Sequence, residues 1–257
     1  MLKTLIEQVH IRNRLPTENN VSKGYLYSRS YPVNDSISVV IPTVGQIIED
    51  ESAYYGLVTT ITATPADFMV QLDDAGIDFA EISSYELFLM LFNNIKKSDT
   101  RLVFGDLDLS KFETAINQQN GNVVLIDQEN DIVIDRAIHD QICRVLRKIN
   151  HLEKNDRKPA NEEAKKYMIE RARIKQRRAA RRPYKSQLED LIVAMVNTEQ
   201  YKYGYEGTLD LTIYQFNASV YQVVKKINYD NTMIGCYAGT INAKELSQDQ
   251  LNWLTSK

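Results

Sequence analysis

Residues 161–183 read NEEAKKYMIERARIKQRRAARRP, and this stretch decides how the chain is organised. Nine of the chain's 31 basic residues lie in positions 165–182, which contain a single acidic residue. Asn161 is a favourable N-cap, glutamates occupy the first turn, where the helix dipole favours negative charge, and Pro183 follows the last turn. The stretch therefore predicts one basic helix of about 20 residues, roughly 30 Å long at ~1.5 Å per residue.

The remainder of the chain is acidic, although the whole chain is nearly neutral. Lys and Arg number 31 against 34 Asp and Glu, a formal charge of −3. Without residues 165–182 the chain has 22 basic and 33 acidic residues, a formal charge of −11. A charge asymmetry of this kind predicts contact with other macromolecules more directly than it predicts a fold.

The sequence predicts an α+β fold in three parts. Apolar residues make up 43% and charged residues 25% of the chain, the ordinary range of globular proteins. We predict a mixed region of helices and strands over 1–150, a linker with the long basic connecting helix over 151–185, and an all-helical region over 186–257. The boundary after the first region falls in the polar segment 151–160. No fixed repeat and no alternating βαβ pattern is present.

Short β-branched or apolar runs predict a small number of strands in the first region. The predicted strands are Gly24–Ser28, Ser36–Ile41 and Arg101–Phe104, together with a hairpin that pairs Val123–Ile126 with Ile132–Ile134. The polar residues between the last two runs form the predicted turn.

Capping residues predict where the helices of this region begin. Thr64, followed by proline, opens a helix that Gly76 ends. Ser83 with Glu86 forms a capping-box pattern ahead of six consecutive apolar residues, 87–92. A helix with no polar face is expected to be buried on nearly all sides.

Two more helices are predicted before residue 150. Ser110 with Glu113 indicates a short one. Asp135 opens a longer helix with an apolar stripe at helical spacing, formed by Ile138, Ile142, Val145, Leu146 and Ile149.

The last region is predicted to be nearly all helical. Capping patterns at Ser186 and Thr212 open helices whose apolar residues recur at helical spacing. The small residues of Met233–Gly239 predict a short, closely packed helix. Ser247 opens a last helix that includes Trp253.

Residues with catalytic or metal-binding chemistry form no persuasive site. Asp135, His139 and Cys143 recur every four residues along one predicted helix but span ~12 Å, too far for one ion. Cys143 is therefore predicted to be a small core residue. Asp106 and Asp108 could hold Mg²⁺, as in nucleases, but the simpler interpretation is a polar turn after a strand. We expect no catalytic, cofactor-binding or metal-binding residue and no cofactor.

Neither an export signal nor a membrane-spanning segment is predicted. No apolar run approaches the ~20 residues needed to cross a bilayer. Cys143 and Cys236 lie 93 positions apart and are expected to be reduced thiols in a soluble cytosolic protein.

Two surfaces are candidate partner-binding sites. The first is the basic face of the predicted helix, formed by Arg171, Arg173, Lys175, Arg177, Arg178, Arg181 and Arg182. It could contact nucleic-acid phosphates, dock on an acidic surface of its own chain, a sister subunit or another protein, or stay solvated. The second is the loop with Tyr201, Tyr203 and Tyr205, because tyrosine is enriched at interfaces. The alternative for this loop is packing onto the chain's own helices.

Five phrases and a dipeptide are spread over most of the chain: ISVVIPTVG (37–45), ITATPAD (61–67), YKSQLEDLI (184–192), DLTIYQFN (210–217), MIGCYAG (233–239) and Asn252-Trp253. Together they resemble a family of bacteriophage proteins of tail and baseplate building modules. None of the phrases is a catalytic signature, so the resemblance implies no functional residue.

The resemblance implies a non-enzymatic protein that holds or delivers other virion proteins, as tail assembly chaperones and baseplate-hub assembly factors do. The implied partners are other phage tail or baseplate proteins, or further copies of the chain, with no membrane contact. The implied location is the host cytoplasm or the virion. The alternative is a nucleic-acid-binding protein that uses the basic helix 165–182 in packaging or regulation. Guanidinium groups and carboxylates converging around a deep, ligand-sized cleft would contradict a macromolecule-binding role.

Overall fold

The computed structural model of the protein describes residues 21–118, 120–181 and 183–254. The first part of this range contains helices and short strands, and the later part contains helices. In chain order the elements are α1 (Val21–Tyr27), β1 (Ser30–Pro32), β2 (Ser38–Val40), α2 (Val44–Glu49), α3 (Glu51–Thr62), α4 (Met69–Asp74), α5 (Ser84–Ile95), α6 (Arg101–Phe104), β3 (Glu113–Ile116), β4 (Val123–Asp127), β5 (Ile132–Ile134), α7 (Arg136–Asn150), α8 (Glu162–Ala179), α9 (Gln187–Val196), α10 (Tyr205–Asp210), α11 (Ile213–Tyr237) and α12 (Gln248–Leu251).

The predicted α+β fold class is confirmed. Strands β1 and β2 form an antiparallel pair in which Tyr31 lies opposite Val39. Strands β3, β4 and β5 form a three-stranded antiparallel sheet in that order. Ile126 lies opposite Val133 in this sheet, so the predicted hairpin is confirmed. Within the described residues, both sheets precede α7, and the chain from α7 onward is helical.

Helix starts predicted from capping residues are confirmed where a side-chain oxygen accepts a hydrogen bond from an amide of the first turn. The donors lie 2.8–3.2 Å from their acceptors. The capping residues are Ser83, Asp135, Asn161 and Thr212, ahead of α5, α7, α8 and α11. The apolar stripe predicted for α7 is buried throughout. These starts depend on contacts within four residues, which is why the local sequence predicts them.

Two of the predicted strands are wrong. Arg101–Phe104 is the short helix α6, in which the Phe104 amide donates to the Thr100 carbonyl at 2.8 Å. A run with only three apolar residues fits either a buried strand or a buried helix turn, and here the tertiary packing decides. Most of Gly24–Ser28 lies in α1, and the strand forms later, at Ser30–Pro32.

Four helix predictions also need correction. The segment predicted as one helix from Thr64 to Gly76 is a 3-10 turn over Pro65–Asp67 followed by the short helix α4, which begins at Met69. Asp108 caps a 3-10 turn over Leu109–Lys111, so Ser110 opens no α-helix and Glu113 begins strand β3. Met233–Gly239 is not a separate helix, because the 25-residue α11 continues to Tyr237. The last helix ends at Leu251 and excludes Trp253.

The apolar run in α5 is buried less completely than predicted. Leu87, Phe88 and Phe92 are buried, whereas Met90 is 49% exposed. The helix therefore packs on two sides and leaves one edge at the surface.

The largest hydrophobic cluster contains residues from both the first and the last predicted regions. Val44, Ile47 and Ile149 share it with Ile213 and Phe216. Backbone hydrogen bonds join the same parts: the amides of Val44 and Ile213 donate to the carbonyls of Leu211 and Pro42, each at 2.9 Å. The division into 1–150, 151–185 and 186–257 stays a prediction, but its outer regions bury side chains together. Every helix in the described ranges is too short or too polar to span a bilayer.

Candidate functional site: a cationic groove beside the basic helix

One face of the basic helix α8 is anchored on its own chain. Lys165 Nζ lies 2.7 Å from Asp78 Oδ2, and Arg173 bridges Asp73 at 2.9 Å and Asp74 at 2.7 Å. The hydrogen bond from Lys165 lowers the pKa of Asp78. Apolar side chains of the same face pack on a small second cluster beside α4 and α5, and they are Met168, Ile169 and Ala172. This face therefore docks on acidic surface of its own chain, one of the alternatives left open by the sequence.

The neighbouring face of α8 forms one wall of a large open groove. Helices α3, α4 and α9 and the segment 152–158 form the other walls. The volume is about 2210 Å³. Pockets for small molecules are usually about 300–1,000 Å³, so this groove is larger than a drug-sized ligand needs. We call it the cationic groove.

Positive charge dominates the lining of the cationic groove. Two of its side chains are acidic, Glu51 and Asp67, against six that are basic: Arg157, Lys158, Arg171, Lys175, Arg178 and Lys185. Lys185 pairs with Asp190. The other five basic side chains form no ion pair with a carboxylate of the described residues. The groove thus presents cations that an anionic partner could pair.

Both acidic side chains of the groove already serve the fold. Glu51 Oε1 accepts from the amides of Gln187 at 3.2 Å and Leu188 at 3.1 Å, which ties the start of α9 to the start of α3. Burial raises the pKa of Glu51, but hydrogen bonds from Ser186 and from these amides outweigh it and lower the pKa. Asp67 Oδ1 accepts from Asn155 Nδ2 at 2.8 Å. Neither carboxylate is placed as an ion-pair partner for the groove's guanidinium groups.

Apolar side chains are exposed along the same groove. Leu152 is 38% exposed, Ile174 43%, Tyr167 60% and Tyr184 66%. Arg171 extends its guanidinium over the Tyr167 ring at 5.5 Å from the centroid. Burial raises the pKa of Tyr55, a further lining residue, to about 12, so its hydroxyl is neutral. The lining of the groove therefore combines exposed apolar side chains with cations.

The structure divides the described members of the predicted basic face into three groups. Arg171, Lys175 and Arg178, spaced four and three residues apart, line the cationic groove. Arg173 anchors the helix on Asp73 and Asp74. The other two described members, Arg177 and Arg181, are exposed and do not line the groove. Arg182 lies outside the described residues.

The three predicted tyrosines have different environments. Tyr201 is buried, and its hydroxyl lies 3.1 Å from Thr208 Oγ1. Tyr203 is 45% exposed and Tyr205 52% exposed. Tyr203 also lines a small cleft of about 330 Å³ together with Tyr27. Packing inside the chain therefore accounts for Tyr201, and the other two remain at the surface.

Four of the residues weighed for metal or acid–base chemistry, namely His139, Cys143, Asp135 and Asp108, have structural roles. His139 and Cys143 lie together in the core, with Nε2 3.3 Å from Sγ and both close to the Ile61 carbonyl. Burial raises the pKa of Cys143 to about 12, so the thiol is protonated at neutral pH. Asp135 caps α7, and Asp108 accepts from the Ser110 amide at 2.9 Å. In the part of the chain that the structure describes, no three His, Cys, Asp or Glu side chains could share a metal ion.

Sequence reasoning missed the groove residues outside the basic helix. Arg157 and Lys158 lie in the segment predicted only as a boundary, and Tyr55 lies on α3. The available signal was the second cluster of cations immediately before the basic helix. Nothing in the sequence around Arg157 and Lys158 indicates that they line a groove together with α3.

The C-terminal part of the chain matches a known protein family. Residues 177–256 match the family model of the YomV second domain, a phage-derived family. The match associates this part of the chain with bacteriophage. It begins inside α8 and includes α9 to α12. Comparisons with curated proteins and with solved structures found no match.

Proposed function

We propose that the protein is a non-enzymatic assembly protein of a phage tail or baseplate, which acts by binding other virion proteins. The observation that carries the proposal is the cationic groove, whose volume of about 2210 Å³ suits a protein segment. The phage association of residues 177–256 supplies the biological setting. The specific tail or baseplate role comes from the resemblance of the sequence phrases.

The chemistry of the groove supports binding over catalysis. Glu51 Oε1 and Asp67 Oδ1 accept hydrogen bonds, Glu51 Oε2 is buried, and the hydroxyl of Tyr55 is neutral. His139 and His151, the described histidines, do not line it. A general base or acid needs a pKa near the working pH and a free approach to substrate. Histidine, the side chain that most often does this work, is absent from the described lining residues.

The exposed tyrosines offer a second contact surface. Tyr205 is the first residue of α10, and Tyr203 lies two positions before it. Tyr27, which is 89% exposed, lines the small cleft of about 330 Å³ together with Tyr203. Tyrosine supplies a large apolar ring with a polar tip, which suits a protein interface.

The proposal predicts recovery of a tail or baseplate protein with the tagged protein from phage-infected cells. Reversing the groove cations (Arg171→Glu, Lys175→Glu and Arg178→Glu) should reduce that recovery by roughly tenfold or more, as expected for loss of complementary charge. Quantitative mass spectrometry of the purified complexes measures it.

The matched control reverses two cations of α8 and one two residues beyond its end, none of which lines the groove: Lys166→Glu, Arg177→Glu and Arg181→Glu. It has the same net charge as the groove variant and should retain the partner. Recovery of no tail or baseplate protein, or equal loss in both variants, contradicts the proposal.

A nucleic-acid-binding protein of packaging or regulation is the second candidate. The exposed cations Arg177 and Arg181, which form no ion pair within the described residues, favour it. It predicts a retarded DNA or RNA band at low salt, because phosphate contacts release counterions. The band should vanish when Arg171, Arg177, Arg178 and Arg181 become glutamine. A retarded band that is unchanged in the glutamine variant would exclude nucleic-acid binding through the basic helix.

A further inference from the structure

A glycine on α3 faces the cationic groove without any packing reason inside the chain. Gly56 lies in the middle of α3, and a Cβ built there would meet no atom within 4 Å. Glycine inside a helix costs about 0.5–1 kcal/mol relative to alanine. Ser52, Thr59 and Thr60, which lie on the same face of α3 as Gly56 and also line the groove, are small, whereas the lining residue Tyr55 beside them is large. This surface of α3 allows another backbone to approach closely.

The volume of the groove is large enough for a helix. A volume of about 2210 Å³ equals that of a cylinder ~10 Å wide and ~28 Å long, which is the size of an α-helix of roughly 19 residues. The wall formed by α8 is 18 residues long. A helix lying along α8 would contact the small residues of α3 on one side and the apolar side chains of the groove on the other.

We propose that the cationic groove binds an acidic amphipathic α-helix of a partner protein. The apolar stripe of that helix covers Leu152, Ile174 and the tyrosine rings, and its carboxylates pair with Arg171, Lys175 and Arg178. Recognition of an amphipathic helix in a groove uses apolar anchors at helical spacing, and the charged edges fix its orientation. The proposal deepens the proposed function by naming the chemistry of the partner segment.

The composition of the groove favours this occupant over single-stranded nucleic acid. Grooves for single strands combine cations with aromatic rings on which bases stack. Here the lining also contains aliphatic side chains of Leu152, Ile174 and Leu191, which offer no stacking plane. The rest of the chain has a formal charge of −11 and repels a polyanion more strongly than a helix with a few carboxylates.

The test uses the full chain and a fluorescent synthetic helix of about 19 residues, with leucine at helical spacing and glutamate on the other face. The measured quantity is the dissociation constant from fluorescence anisotropy. The groove variant (Arg171→Glu, Lys175→Glu, Arg178→Glu) should bind the peptide at least roughly tenfold more weakly, and the control variant (Lys166→Glu, Arg177→Glu, Arg181→Glu) within about threefold of the unmodified chain.

A second variant tests shape without changing charge. Gly56→Leu places a side chain in the groove at a position where the chain itself has room, so the fold should be as stable as before or more stable. The peptide should nevertheless bind at least roughly tenfold more weakly. Gly56→Ala, with a much smaller side chain, serves as the graded control.

Four results overturn the proposal. They are no binding of the peptide, equal weakening by the groove and control variants, equal binding of a peptide with the same composition but scrambled leucines, and tighter groove-dependent binding of an oligothymidine. The last result would assign the groove to nucleic acid. Peptide binding without recovery of a tail or baseplate protein from infected cells would remove the phage-assembly role alone.

Discussion

Replacing Phe216 with alanine should lower the free energy of unfolding by about 3–5 kcal/mol, the usual effect of deleting a large aromatic side chain from a packed core. Phe216 is fully buried on α11, and the Tyr201 ring meets it edge-on at 6.4 Å between centroids. It belongs to the cluster that includes Val44, Ile47 and Ile149. Urea unfolding followed by circular dichroism measures the change.

The matched control is Val224→Ala on the same helix, where the side chain is 49% exposed. It should change stability by no more than about 0.5 kcal/mol. Because the first and last regions share one cluster, Phe216→Ala should shift a single cooperative transition. A separate early transition that removes only part of the helical signal would contradict a shared core.

Acid should destabilise the protein through His139. Burial lowers the pKa of His139 to about 4, although its hydrogen bond to the Ile61 carbonyl works in the opposite direction. In the unfolded chain the pKa is about 6.5, so only the unfolded state gains a proton between these values. Stability contributed by the neutral ring is present above pH ~6.5 and is lost as the pH falls toward ~4. The full loss is about 3 kcal/mol at ~1.4 kcal/mol per pKa unit.

His139→Gln keeps an amide that can donate to the Ile61 carbonyl and removes the titration. The slope of unfolding free energy against pH should therefore be flatter between pH ~4 and ~6.5 in this variant. The matched control is His151→Asn, which changes an exposed imidazole at a backbone φ of 52° that asparagine also tolerates. It should keep most of the slope. Equal slopes in His139→Gln and the unmodified chain would contradict the buried neutral ring.

The sequence predicted the features that depend on short-range interactions. Asp135, Asn161 and Thr212 cap helices because their side chains reach amides within three residues. The β4–β5 hairpin forms across a turn in which the Asp127 carboxylate accepts from the amides of Glu129 and Asn130. The basic helix was predicted for the same reason, because its N-cap Asn161 and the glutamates of its first turn stabilise it locally.

The features that sequence reasoning missed depend on contacts between distant segments. Phe104 is buried in a helix because of its tertiary packing, and its four-residue run carries no information on periodicity. The end of α11 was assigned to a separate helix, but Gly235 lies inside α11. A Cβ there would lie 2.6 Å from Ile241 Cδ1, so the side chain of Ile241 on the returning chain packs closely against this glycine.

The cationic groove shows the same limit at the candidate site. Its cations on α8 were predicted, whereas its wall on α3 lies more than 100 positions earlier in the chain. No local pattern relates Gly56 or Tyr55 to Arg171. The predicted basic face was treated as one surface, and the structure splits it into groove, anchor and solvent-facing parts.

The central claim is that the cationic groove holds a protein segment in infected cells. A photo-activatable amino acid at Thr59, an exposed groove residue on α3, tests it most directly, because crosslinking reports what lies within a few ångströms. The account predicts one dominant crosslink to an acidic helical segment of a tail or baseplate protein, and its loss in the Arg171→Glu, Lys175→Glu, Arg178→Glu variant. A dominant crosslink to nucleic acid, or none to any virion protein, would contradict the account.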